Sequence, residues 1–324
     1  MIVILCKSKD NYAQNIIEWL KIYDCEYVVV DLDFEFFFKI EIIFKRFDFK
    51  IKLLLNNGME LNFNEISYFL CRSGSLKKNM ITHSISNEFD NKIADYYLNL
   101  EKDTLIDFIY EEISKKSLGF ISQKPLNKLI QIRKAQLAGI LVPDTFITNS
   151  KKNINKFTDS TELITKAIQE NIGFQDRVKV IYQRVKLVKI KELPFSFFPS
   201  LFQKRLIKEL EIRTFYLDNK FYSIAIYNSE QVVDMRDYYH VQNHFKFQLP
   251  KELELKLTQL MKTLNLVSGS IDLILSDKGE FYFLEVNPAG QYDWVSVFGS
   301  YNLDEKIAKF LNKHEENNKK INKN

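Results

Sequence analysis

The stretch SGSIDLILSDKGEFYFLEVNPAGQYDW, residues 268–294, carries the reading of this chain. Ser270 to Ser276 and Phe281 to Val286 are rich in Ile, Leu, Val, Phe and Tyr, and Asp277-Lys278-Gly279-Glu280 between them reads as the turn of a β-hairpin. With that turn centred between Lys278 and Gly279, cross-strand partners sum to 557 and Asp272 lies opposite Glu285. Asn287, two residues further along, points to the same face. Opposed like charges destabilise a sheet, because facing Cβ atoms are only roughly 4.5–5.5 Å apart. Positive charge is therefore expected between them, and Mg²⁺, a hard cation often held by one or two carboxylates together with phosphates, suits an all-oxygen set. Asp272, Glu285 and Asn287 form the candidate metal site. The bland alternative is a surface hairpin with scattered acids. The shared register, the Pro288-Ala289-Gly290 turn and the scarcity of other polar residues in both strands favour the metal. A three-residue loop would break this register.

Outward from the hairpin, the 324 residues are too many for one small core and suit two or three α/β units. Hydrophobic content of 46% and charged content of 27% are ordinary for a globular protein. The net charge of +4, part of it in the terminal Lys-Asn segment, does not call for a nucleic-acid partner. The excess of Phe, 27 residues, is spread along the chain and reads as compositional drift. Cys6, Cys25 and Cys71 lack metal-ligand spacing and are expected as reduced, buried thiols. MIVILC is too short for a secretory signal, and no apolar run reaches 18 residues, so the expectation is a cytoplasmic protein without membrane contact.

Residues 1–118 open with a βαβ pattern: MIVILC as a buried strand, Asn11 to Tyr23 as an amphipathic helix and EYVVVDLD as the next strand. Phe34 to Phe47 is ambiguous, IKLLLN and MELNF read as a strand pair, ISYFLCR as a strand, and Glu88 to Lys116 as helix. The pattern is that of a small Rossmann-like domain lacking GxGxxG after its first strand, so a dinucleotide role there is unsupported. Pro125 to Gly139 reads as a helix with Pro near its start and Gly at its end. ELITKAI, VKVIYQRVKLV and SLFQKRLI are strand candidates, EIRTFYLDNKFYSIAIYN is a hairpin turning at Asp218-Asn219-Lys220, and LPKELELKLTQLMKTLNL is an amphipathic helix. Asn302 to Leu311 closes as a helix, and residues 313–324 read as a polar, disordered tail.

Charged residues inside apolar strands are informative because an unpaired buried charge is expensive. Lys166 in ELITKAI, Arg213 in EIRTFYL and Arg236 in VVDMRDYY meet that test. Each taken alone fits a structural salt bridge, Arg213 with Glu209 or Glu211, and Arg236 with Asp234 or Asp237. Jointly, upstream of an acidic hairpin, they fit a nucleotide site: Arg grips phosphate bidentately and Lys supplies a compact charge. His240 and His244 could serve as acid or base near Arg236, but a pair in a Tyr/Phe-rich loop reads better as packing or surface. Tyr292, Asp293 and Trp294 fit an acceptor pocket and a core or cap role equally.

The order of Asn127-Lys128 at a helix start, VPDTFITN, the strand Lys166, SLFQKRLIKELEIRTFYL, DMR and the 268–294 stretch resembles an ATP-grasp ligase. More narrowly, it is similar to the graspetide maturases, microviridin-type and grasp-with-spasm, which ligate ribosomal peptides. The resemblance spans residues 1–312, is most specific over 203–294, and over 1–118 rests mainly on pattern and on CRSGS. It implies an α/β (α+β) ATP-grasp fold with an N-terminal Rossmann-like domain at 1–118, a central α+β subdomain at 119–206 and a C-terminal antiparallel-sheet subdomain at 207–312.

By the same resemblance, Lys128 and Lys166 match the lysines that contact ATP phosphates. Gln203, Lys204, Arg205, Leu206 and Ile207 match the hinge strand that holds adenine, and Glu211 lies near the ribose. Arg213 matches the arginine of the ExR element that stabilises the transferring phosphoryl group and the acyl phosphate, and Arg236 matches the arginine at the equivalent DxR position, a second catalytic candidate. Asp272, Glu285 and Asn287 match ligands of a pair of Mg²⁺ ions bridging the ATP phosphates. Ala167 and Lys204 depart from the family, which often has Pro and an acidic residue there.

The implied activity is activation of Asp or Glu side chains of a precursor peptide as acyl phosphates, captured by Ser or Thr to give esters or by Lys to give amides, with ADP and phosphate released. The implied partners are a ribosomally made precursor with a docking leader segment and a second copy of the chain in a homodimer, with no nucleic acid. A RimK-like ligase that adds free amino acids is the alternative within the same chemistry. A non-catalytic peptide-binding relative is the alternative from another class.

Overall fold

Five consecutive apolar residues form strand β1 (Ile2–Cys6), and all five are buried. Such an unbroken run needs cover on both faces, as strands of parallel sheets receive. β1 accordingly pairs in parallel with β2 (Tyr27–Asp31) on one side and β6 (Tyr68–Cys71) on the other, and β6 pairs in parallel with β7 (Ser117–Gly119). The computed structural model describes residues 1–35, 37–76, 88–119, 126–157, 162–169, 174–175, 180–181, 185–227 and 243–321. The chain divides into two compact units: Met1–Lys124 with Asn302–Asn324, and Pro125–Tyr301.

In the first unit, helix α1 (Asn11–Ile22) starts where Asp10 accepts a hydrogen bond from the Ala13 amide, and it buries Ala13, Ile16, Ile17 and Leu20. The ambiguous stretch resolves as β3 (Phe37–Lys45), which pairs with β4 (Asp48–Leu55), itself paired with β5 (Glu60–Asn62). One core joins both sheets to helix α2 (Glu88–Ser114): Val3, Leu5, Val30, Ile51, Leu53 and Phe69 pack with Ile106, Ile109 and Ile113. Cys6, Cys25 and Cys71 are buried free thiols, as the sequence suggested.

Residues 313–321 of the expected disordered tail instead form the second half of helix α7 (Leu303–Ile321), which belongs to the first unit, so the C-terminal segment does not end with a 207–312 subdomain. The polar residues are ordered because they have partners. Buried Glu315 pairs with Lys319 at 2.6 Å and with the Met1 amine at 3.9 Å. The His314 ring packs at a tilt 4.5 Å from that of Tyr68, and Asn318 donates to Ser67 Oγ at 3.0 Å. Among the described residues, no helix is long and apolar enough to cross a membrane.

The second unit opens with helix α3 (Lys128–Leu137). An antiparallel sheet follows in the order β12 (Lys186–Val188), β9 (Leu163–Lys166), β13 (Ser196–Lys204), β8 (Thr145–Ser150). Helix α4 (Lys151–Phe157) packs on it through Ile154, which meets Leu163 and Phe202. β10 (Phe174–Gln175) and β11 (Val180–Ile181) pair with each other; of VKVIYQRVKLV, Val180–Ile181 and Lys186–Val188 are strand, and 178–179 and 182–184 lie outside the described residues.

A five-stranded antiparallel sheet carries the rest, in the order β16 (Asn243–Phe247), β15 (Lys220–Tyr227), β14 (Lys208–Leu217), β17 (Ser268–Ser276), β18 (Phe281–Asn287). β14 and β15 join through Asp218 and Asn219, both at positive φ as a tight two-residue hairpin demands. Helix α5 (Lys251–Thr263) buries Leu253, Leu257, Leu260 and Met261, and α6 (Asp293–Gly299) follows β18.

Candidate functional site

The hairpin of β17 and β18 turns through three residues. The Ser276 amide donates to Glu280 O at 2.9 Å, the Gly279 amide donates to Ser276 O at 3.0 Å, and Gly279 takes φ 76°, a left-handed conformation that glycine adopts at no steric cost. The ladder therefore leaves the turn one residue off the expected register: Leu275 faces Phe281, Ile274 faces Tyr282, and Leu273 faces Phe283. Continued unchanged, it would set Leu284 opposite Asp272 and rotate Glu285 to the opposite face. A β-bulge at Leu284 prevents this. Beyond it Asp272 pairs with Glu285, Ile271 with Val286 and Ser270 with Asn287. The expected pairing is present, but a bulge rather than the turn produces it.

On the neighbouring strand Arg213 pairs with Asp272, so Arg213, Asp272 and Glu285 form one row across β14, β17 and β18. Arg213 Nη1 bonds Asp272 Oδ2, and Nη2 lies 4.0 Å from Glu211 Oε2. The other end of the row is closed by α3. Asn127 caps that helix by accepting from the Leu129 and Ile130 amides at 2.9 and 3.4 Å, and Lys128 in its first turn reaches Glu285 Oε2 at 2.7 Å.

The protein thus supplies the positive charge that the paired carboxylates require, which corrects the inference that their repulsion alone calls for a metal ion. The acids differ in consequence. Burial pushes the Asp272 carboxyl above its usual range, with Arg213 opposing it only in part. Burial acts the same way on Glu285, but Lys128, with Lys166 and Arg213 behind it, outweighs burial and holds that carboxyl below its usual range. Lys166, at the end of β9 opposite Leu201, is pulled down by burial, offset in part by Glu285. The Arg213 guanidinium is held still more firmly charged, chiefly by Asp272.

The structure therefore brings together Lys128, Lys166, Arg213, Asp272 and Glu285. Asn287 ends the same face, exposed, where the chain turns and the Gly290 amide donates back to Asn287 O at 3.1 Å. Glu211 lies on the same side of β14 as Arg213, but its nearest cation is Lys208 at 2.5 Å. The hinge expected over Gln203–Ile207 is strand only at its first two residues. The buried Gln203 side chain donates to Thr145 Oγ1 at 2.8 Å, and Arg205 pairs with Glu162 at 3.3 Å. The amides of Lys204 and Arg205 donate to Asp144 O and Glu162 O, and Ile207 O accepts from the Asp277 amide. Leu206 is half-buried and Ile207 exposed. Arg236 and His240 lie outside the described residues. His244 stacks on Phe298 at 4.0 Å, the packing role expected for it, and Tyr292 is fully buried against Phe215.

Two contributors escaped the sequence reading. Lys208 was inside the quoted motif, but strand periodicity gives no reason to couple it to Glu211. Gln131, one helical turn after Lys128, is buried and accepts from the Val286 amide at 2.8 Å. The signal for it was a polar side chain at i+3 from a site lysine.

The donor set fits Mg²⁺: two carboxylates and an amide on one sheet face offer only hard oxygen ligands. Among the described residues, no cluster of three or more His, Cys, Asp or Glu side chains offers an alternative metal site. Three cationic side chains around two carboxylates leave positive charge over, which suits an anionic group such as a polyphosphate.

No protein-family model matches the chain, and no curated protein is detectably similar in sequence. Solved structures are similar over its whole length. A Chryseobacterium gregarium RiPP-associated ATP-grasp ligase, in complex with ADP and a leader and core peptide, superposes with a TM-score of 0.73 at 21% identity, covering 96% of each chain. The macrocyclase MdnC from Microcystis aeruginosa MRC, bound to precursor peptide MdnA, gives 0.70 at 20% identity, covering 96% of this chain and 98% of that one. The ATP-grasp ligase PsnB, complexed with minimal precursor, Mg and ADP, gives 0.68 at 15%, covering 97% and 98%. These similarities establish the expected fold: this chain has the ATP-grasp fold.

Proposed function

We propose that this protein is an ATP-dependent peptide ligase that activates Asp or Glu side chains of a ribosomally made precursor and joins them to Ser, Thr or Lys side chains. The observation that carries this reading is the row Arg213-Asp272-Glu285-Lys128 with Lys166 beside it, an acidic pair ringed by cations on an ATP-grasp fold. The leader, core or precursor peptides bound in the three similar structures described above support the choice of substrate.

In this reading Lys128 and Lys166 bind the nucleotide phosphates, and the 203–207 segment with Glu211 receives the adenosine. Lys128 and Arg213 are held on the carboxylates until phosphate oxygens offer them alternative partners. Asp272, Glu285 and Asn287 would hold Mg²⁺, a pair of ions in full, which supplies charge neutralisation on the phosphates. Arg213, joined by Arg236, neutralises the phosphoryl group as it passes to the substrate carboxylate and then steadies the acyl phosphate. Attack by a hydroxyl or amine forms the ester or amide, and phosphate leaves. A bound leader keeps the reacting side chains at high effective concentration. Reduced, buried thiols suit the cytoplasm, and neither nucleic acid nor a membrane has a part.

A homodimer belongs to the same proposal. Ile93, Tyr96, Tyr97 and Leu100, at i, i+3, i+4 and i+7 on α2, are all exposed and make an apolar stripe that suits a second copy. The deciding experiment is ADP formation from Mg·ATP with and without a peptide bearing a leader and Thr/Ser and Asp/Glu clusters. Peptide-stimulated ADP with loss of water from the peptide supports the ligase. Stimulation by free amino acids instead would indicate the RimK-like activity, and peptide binding without ADP a non-catalytic partner.

A further inference from the structure

The bulge at Leu284 decides whether Glu285 belongs to the site, and the contact that holds it comes from outside the sheet. β18 is an edge strand, so alternate amides point away from β17 and need other partners. Below the bulge the Phe283 amide points outward and donates to Leu141 O at 2.8 Å. Above it the outward amide is that of Val286, which donates to Gln131 Oε1 at 2.8 Å. Outward amides in a regular strand are an even number of residues apart. Here the separation is odd, which is the signature of the extra residue. The Gln131 bond can form only in the bulged register. In the regular one the Val286 amide would face β17 and the Glu285 carboxylate would leave the Asp272 face.

Gln131 is itself fixed. Its side chain is 1% exposed, its Nε2 donates to Leu126 O at 3.3 Å, and its backbone amide donates to the carbonyl of the cap residue Asn127 at 3.0 Å. Lys128 stands one turn earlier on the same helical face, so one rigid first turn delivers both the cation that meets Glu285 and the acceptor that meets the next amide. We propose that Gln131 is a positioning residue: it locks the bulged register of β18, which turns Glu285 and Asn287 onto the face of Asp272. This rests on the ligase reading for its consequence, though the register itself does not.

Gln131→Met keeps the length and burial of the side chain but removes both hydrogen bonds. Thr214→Val serves as control, since Thr214 Oγ1 and Ser223 Oγ form a buried hydrogen bond at 2.8 Å at Thr214, a neighbour of Arg213 on the opposite face of the same sheet. Magnesium-ADP affinity is measured by calorimetry, and the register by nuclear magnetic resonance contacts between Hα atoms across β17 and β18. The expected result is an affinity loss of about tenfold or more for Gln131→Met, the range typical when a supporting partner of a metal ligand is lost. With it the Ile271–Val286 contact should give way to Ile271–Glu285, while Thr214→Val shows neither change. Deleting Leu284 in the Gln131→Met background should restore affinity, because the shortened strand pairs Glu285 with Asp272 without a bulge. Gln131→Met that keeps the Ile271–Val286 contact, or loses no more affinity than Thr214→Val, overturns the proposal. Wild-type protein that binds no magnesium-ADP would sink the ligase reading, and the Hα contacts would still decide the register. If Gln131→Met does not fold, Gln131→Glu, which keeps the acceptor and loses only the donor, should retain the Ile271–Val286 contact. Its loss there overturns the proposal equally.

Discussion

Lys128 Nζ lies 2.7 Å from Glu285 Oε2, so the first turn of a helix and the edge strand of a sheet meet through one ion pair at the centre of the proposed nucleotide site. Glu285→Gln is expected to abolish peptide-stimulated ADP formation while the fold persists. It should also change the pH dependence of stability. The folded-state carboxyl of Glu285 is held below its usual range, so its contribution is present above the unfolded value and lost as pH falls through the lower folded value. The difference in thermal midpoint between wild type and Glu285→Gln should therefore hold from pH 7 to 5 and close below about pH 4.3. A difference that widens on acidification would contradict the pairing.

Arg213→Lys keeps the charge but loses the planar fork that bonds Asp272 and, in the proposed mechanism, grips a phosphate. Turnover should fall by about 10²- to 10³-fold, as when one oriented donor to developing negative charge is lost. Rapid-quench measurement of the chemical step tests this. A wild-type rate for that step would exclude Arg213 from the phosphoryl transfer.

Gly290 follows the Asn287-Pro288-Ala289 turn at close quarters with β17. A methyl group there would stand 2.5 Å from Ser270 Cβ and 2.8 Å from Asn287 O. Gly290→Ala should destabilise by about 1–3 kcal/mol, the usual result of overpacking. Adding Ser270→Gly should recover part of it, since the contact with Asn287 O persists. Denaturant titration of the single and double variants gives the comparison, and an unaffected single variant would show that the turn yields freely.

The α2 stripe predicts oligomeric state. Ile93→Glu with Leu100→Glu places two charges on a surface that is already exposed in one chain, so folding should be unaffected. Light scattering should then report monomer where the wild type gives dimer. Dimers in both would move the interface elsewhere.

Much of this architecture was legible because its signals are local. The apolar run Ile2–Cys6 can only be a buried strand, and the apolar spacing along 251–263 can only be an amphipathic helix. The row Arg213-Asp272-Glu285 was legible as residues but not as geometry. Which face Glu285 takes depends on whether Leu284 bulges, and that is settled by Gln131, a partner more than 150 residues away in the chain. The same limit explains the C-terminus. HEENNKKINKN reads as disordered on composition, yet its helix is held by partners at the opposite end of the chain, Met1, Ser67 and Tyr68. The cations around the acids were likewise each visible in sequence, whereas their division between Asp272 and Glu285 was not.

The return of α7 to the first unit has a consequence for synthesis. Helix α1, early in the chain, packs against α7, and the whole of Pro125–Tyr301 is translated in between. At about 5–20 residues per second the first unit must wait on the order of ten seconds or more with that contact unmade. The segment bearing the proposed catalytic row can therefore finish folding on the ribosome before the unit that precedes it in the message.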